Sequence, residues 1–78
     1  MKNKIDFEQM AHTIWKIVEP GVISWENTEF TIEGNFEGLP TFTLYHNGNL
    51  IELAISLSYL KQRAQLIASQ MIAMGIEP

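Results

Sequence analysis

The chain has 78 residues, 46% of them hydrophobic, with five Lys and Arg against nine Asp and Glu, a formal charge of −4, and no cysteine. That length allows one domain, and a domain so small buries only about 60% of the surface its unfolded chain exposes, which argues against an enclosed active site. Without cysteine there are no disulfide staples, thiolate nucleophiles or cysteine-ligated metals. The acidic balance argues against phosphate-driven nucleic-acid binding, which needs clustered Lys and Arg.

The opening Met1-Lys2-Asn3-Lys4-Ile5-Asp6 is followed by Phe7-Glu8-Gln9, so no apolar signal core develops. No uninterrupted apolar run approaches the ~20 residues of a membrane span. A cytoplasmic, soluble protein with no membrane partner is the expectation.

A first helix is predicted to open at Asp6, where Asp6 is a good N-cap, Gln9 completes a capping box, and Ile5 and Met10 are spaced as a hydrophobic staple. Phe7, Met10, Ala11, Ile14, Trp15, Ile17 and Val18 share one side at helical spacing, and Pro20-Gly21 ends the element. From Val22 the period becomes two. Ile23 and Trp25, then Phe30 and Ile32, predict two strands around Asn27-Thr28, with Trp25 opposite Phe30 and Ile23 opposite Ile32. Thr28 suits a positive φ poorly, so a looser turn is equally compatible. Glu33 to Pro40 reads as a connecting loop.

Thr41–His46 and Asn49–Ala54 then flank Asn47-Gly48, the pair a type I′ hairpin turn requires. A continuous register puts Leu44 opposite Ile51 and Phe42 opposite Leu53 on one face, with Tyr45 against Leu50 and Thr43 against Glu52 on the other. Beyond Ile55 the period is helical again, with Ser56 or Ser58 as N-cap and Gly75 as the residue after the C-cap. Leu57, Leu60, Ala64, Ile67, Met71 and Met74 form its seam. The fold class that follows is α+β in two layers: helix, four-stranded antiparallel meander, helix, with both helices on one sheet face.

Charge layout carries the functional expectation. Between Ile17 and Leu60 stand Glu19, Glu26, Glu29, Glu33, Glu37 and Glu52 without a single Lys or Arg. The continuous register turns Glu26, Glu29, Glu33 and Glu52 outward beside Tyr45, Ser24, Thr31, Thr41 and Thr43, with Glu26 directly opposite Glu29. Such an acidic, hydroxyl-rich face supplies solubility in any fold, and it also attracts basic partners. A second apolar stripe, Tyr59, Leu66 and Ala73, recurs every seven residues on the last helix. It suits either the first helix or a second copy, and a homodimer is expected from it.

The catalytic inventory is thin. His12 and His46 are the only imidazoles, and they form no His-x-x-x-His pair. Neither a metal site nor any other cofactor is expected. The chain has no Gly-rich phosphate loop and no nucleophile elbow. The expectation is a non-enzymatic protein–protein interaction protein. One form is an acidic inhibitor occluding the basic, nucleic-acid-binding surface of a protein partner, as compact acidic proteins of phages and mobile elements often do. The alternative is an obligate subunit or homodimerisation module, and direct binding of nucleic acid or a ligand ranks last.

Overall fold

Pro20 and Gly21 close a hairpin and not a helix. The computed structural model describes residues 14–78, and in it Trp15–Glu19 forms strand β1, paired antiparallel with β2, Val22–Trp25, across that two-residue turn. Gly21 holds φ +79°, the left-handed position that follows proline in a type II turn. The helical expectation fails here because Trp15 and Ile17 fit a period of two as well as one of 3.6. Aromatic and β-branched residues favour the strand once a partner lies two residues away. The expected helix start at Asp6 lies outside the described residues.

β3 (Phe30–Asn35), β4 (Thr41–His46) and β5 (Asn49–Ala54) continue an antiparallel meander in the order β1-β2-β3-β4-β5. Helix α1, Leu57–Ala73, follows and packs on β4 and β5. The fold is therefore α+β, with five strands and, among the described residues, one helix in place of the expected four and two.

The β2–β3 register is the expected one, Ile23 opposite Ile32 and Ser24 opposite Thr31. The turn between them is the looser kind. Thr28 donates to the Trp25 carbonyl through both its amide (3.1 Å) and its hydroxyl (2.8 Å), and the Phe30 amide donates to Thr28 Oγ1 at 3.1 Å. Glu26 and Glu29 thus fall in the turn and not on facing strand positions. Their amides reach elsewhere, Glu26 to the Ile14 carbonyl at 2.8 Å and Glu29 to the Pro78 oxygen at 3.0 Å.

The second hairpin departs from the continuous register. Asn47 and Gly48 take φ +52° and +80°, as a type I′ turn demands, and His46 lies opposite Asn49 and Tyr45 opposite Leu50. Then the register slips, so that Leu44 faces Glu52, Thr43 faces Leu53 and Phe42 faces Ala54. Ile51 is the extra residue of a β-bulge, and because side chains alternate, one inserted residue exchanges the faces of all that follow. Leu53 turns outward, while Glu52 and Ala54 turn toward the helix.

The core consists of Trp25, Phe30, Ile32 and Leu44 from the sheet and Leu60, Ala64 and Ala68 from α1. Two alanines in the buried helical row let the backbone of α1 approach closely. Leu57, Ile67 and Met71 pack at the margin, and Met74, expected in the seam, is exposed. Ser56 caps the helix by accepting the Tyr59 amide at 3.2 Å. At the other end Gly75 donates to the Ile72 carbonyl (3.0 Å) and Ile76 to that of Met71 (2.8 Å), the paired bonds of a Schellman motif. No acidic residue stands in the first turn and no basic one in the last, so the helix relies on the sheet for its stability. The chain then returns to the sheet: Pro78 is buried, and its oxygen accepts His46 Nε2 at 2.8 Å as well as the Glu29 amide.

Leu44→Ala should cost about 2–5 kcal/mol by leaving a cavity, and Ala68→Leu about 1–3 kcal/mol by forcing α1 off the sheet. Urea unfolding followed by circular dichroism measures both as a lower midpoint at unchanged slope.

Candidate functional site

The bulge in β5 decides which residues meet beside α1. It turns Glu52 toward the helix, where Tyr59 and Arg63 stand one turn apart on the near flank. Tyr59 Oη donates to Glu52 Oε2, and Arg63 Nε donates to Oε1 at 3.0 Å. Both carboxylate oxygens are therefore engaged. The Tyr59 hydrogen bond, with the Arg63 hydrogen bond and charge added, holds the Glu52 carboxyl below its ordinary pKa against some desolvation. The same hydrogen bond holds the Tyr59 phenol above its ordinary value. A carboxylate so stabilised in its ionised form, beside a phenol kept protonated, is a poor proton acceptor, and the trio acts as a clip between edge strand and helix. It borders an open hollow of about 470 Å³ together with Gln62 and Leu66.

Glu52 is consequently absent from the outer sheet face, contrary to the continuous register. That face carries Ser24, Thr31, Tyr45 and Leu50 in one cross-strand row and Val22, Glu33, Thr43 and Leu53 in the next. Its hydroxyl-rich character is as expected, and its paired strand positions carry two carboxylates, Glu33 and Glu19 (opposite Val22), with Lys16 opposite Ser24. Glu26 lies at the turn with Lys16 Nζ 3.1 Å from its Oε1, and Glu29 occupies the same turn. Glu26, Glu29, Glu33, Glu52 and Tyr45 do not converge on one surface; only Glu33 and Tyr45 share the strand face.

Tyr59, Leu66 and Ala73 lie exposed along one flank of α1, as their seven-residue spacing implies. Tyr59 is in addition tied to Glu52. A further apolar feature escaped the sequence reading. Ile17, Ile23, Ile32, Phe36, Phe42 and Leu57 line a groove of about 290 Å³ at the β1 side of the helix-bearing face. Phe36 folds back over Gly34, where a Cβ would stand 2.7 Å from its ring, and meets Phe42 edge-on with centroids 5.8 Å apart. The available signal was the Gly34-x-Phe36 spacing, which places an aromatic on the face where the strand has no side chain.

Among the described residues no group of three His, Asp or Glu side chains is arranged to hold a metal ion. No helix there is long and apolar enough to cross a membrane.

The clip has a pH signature. Glu52, with its pKa lowered on folding, contributes stability present above its unfolded pKa and lost as pH falls through the folded value; Tyr59, with its pKa raised, contributes below its unfolded pKa and loses that contribution as pH rises through the folded value. In a tyrosine absorbance titration Tyr59 should ionise above the ordinary phenol range, and Glu52→Gln should bring it back down. Unchanged titration in the variant would show that Glu52 does not hold the proton.

No protein-family model, curated protein or solved structure matches this chain, so its function is argued from its own surface.

Proposed function

We propose that the chain is a non-enzymatic self-association module, working as a subunit or homodimerisation unit. The observation that carries this reading is the ratio of buried to exposed apolar groups. Among the described residues seven hydrophobic side chains form the buried core, while thirteen large ones, Ile17, Leu39, Leu53 and Ile55 among them, stand exposed. Scattered exposed apolar residues are ordinary on any protein. Six of the thirteen, Leu50, Ile51, Leu53, Ile55, Tyr59 and Leu66, lie on β5, just after it, or on α1, and contiguous apolar surface of that kind marks association sites. A small domain also gains most from an interface, because its own core is too thin to supply ample stability.

The acidic-inhibitor reading takes second place. It is favoured by Glu33 beside Tyr45 on a hydroxyl-rich face and by a net charge of −4. It is weakened by the pairing of Glu26 with Lys16 and of Glu52 with Arg63, which occupies two of its four carboxylates with internal cations.

Sedimentation equilibrium separates the two. The association reading expects a mass of twice 8.9 kDa, retained at high salt because apolar contact is not screened. A monomer throughout the concentration series would sink it. The inhibitor reading expects salt-labile binding to immobilised polylysine that weakens in Glu33→Gln, and binding indifferent to salt would remove it.

A further inference from the structure

We infer that two copies of this chain join through β5, edge to edge and antiparallel, so that the five-stranded sheets merge into one and the α1 helices lie side by side over the seam. The inference rests on the self-association reading and names its surface.

The two edges of the sheet differ in how they meet solvent. β1 carries Lys16 and Glu19 within five residues and runs into Pro20, and charges and proline are the usual means of discouraging edge pairing. β5 carries no such device on its outward positions. Its one charged residue, Glu52, is turned under α1 and neutralised by Arg63. Leu50, Leu53 and Ile55 are 62%, 60% and 79% exposed, and Ile51 is 39% exposed. Among the described residues β5 pairs with β4 alone, which leaves its outer row of backbone amides and carbonyls without strand partners there, and in an antiparallel pairing an identical strand complements that row by symmetry.

The side chains also select a register. Centring the two-fold on Leu53 sets Leu53 against its own copy on the outer face and Ile51 against Ile55 of the other chain. It places Glu52 opposite Ala54, which keeps the two carboxylates apart. Centring on Glu52 would set like charges directly opposite, which is unfavourable. Because α1 packs on β4 and β5, its Tyr59 and Leu66 flank overhangs this edge and meets the same flank of the second copy. Leu66 is 52% exposed there. Leu50, Ile51, Leu53, Ile55, Tyr59 and Leu66 together expose on the order of 600 Å² per chain, which approaches the roughly 800 Å² per partner of a standard stable interface.

The chain has no cysteine, so single introduced thiols report proximity directly. Leu53→Cys should form an intermolecular disulfide on mild oxidation, because facing residues of an antiparallel pair bring their Cβ atoms within bridging range. Val18→Cys, on the opposite edge, should not. In sedimentation equilibrium Leu53→Lys should weaken the dimer at least about tenfold while far-UV circular dichroism stays unchanged. A wild-type dimer in which Val18→Cys cross-links and Leu53→Cys does not would overturn the β5 assignment and leave the association reading standing, as would a Leu53→Lys dimer of undiminished affinity. A wild-type monomer at every concentration would overturn both. Should Leu53→Lys fail to fold, the cysteine pair alone decides.

Discussion

One inserted residue governs the layout of this molecule. With Ile51 bulged out of the β4–β5 ladder, Glu52 and Ala54 face the helix and Leu53 faces outward; without it, the alternation would present Ile51 and Leu53 to the helix and Glu52 to solvent. The bulged arrangement has two compensations. Ala54 is small enough to lie beneath α1 at the sheet margin, and Glu52 finds a phenol and a guanidinium that occupy both its oxygens. Polar groups turned toward a helix are tolerated only when so satisfied, and no buried side-chain nitrogen or oxygen in the described residues lacks a partner.

The position of the helix follows from the same edge. α1 sits on β4 and β5, and its buried row of Leu60, Ala64 and Ala68 closes against Phe30, Ile32 and Leu44. The β1–β2 side of that face keeps an aromatic chain instead, Trp15 on Trp25 and Trp25 on Phe30, each pair with ring centroids 5.8 Å apart. His46 extends the chain, its ring 4.5 Å from Phe30. Offset aromatic contacts of this kind add to area burial, and they hold the short strands where no helix among the described residues covers them.

Much of this was legible in the residues. Alternation alone placed Ile23 opposite Ile32, Asn47-Gly48 named its own turn, Gly75 announced the end of the helix, and its start was narrowed to Ser56 or Ser58, of which the structure takes Ser56. What escaped was decided by contacts between elements. Trp15 to Glu19 suits either period, and only the neighbouring β2 selects the strand. In Leu50-Ile51-Glu52-Leu53-Ala54 apolar residues occupy both phases, so the pattern cannot choose between a regular and a bulged ladder. That choice lies with Tyr59 and Arg63, seven and eleven residues beyond Glu52. The acidic face presumes regular ladders in both hairpins; the bulge takes Glu52 out of it and the β2–β3 turn takes out Glu26 and Glu29, which leaves Glu33 and Tyr45 of the expected set.

Each strand lies beside its neighbour in sequence, so the sheet can assemble by successive short closures, a topology associated with rapid folding. The Pro78 oxygen reaches much further, since it meets His46 across 32 residues and the Glu29 amide across a wider span still. Groups this far apart in sequence close a long loop, and they are held together by the strands and helix that lie between them. A tie of that kind, where it forms after the rate-limiting step, slows the unfolding of the finished molecule more than it speeds its folding.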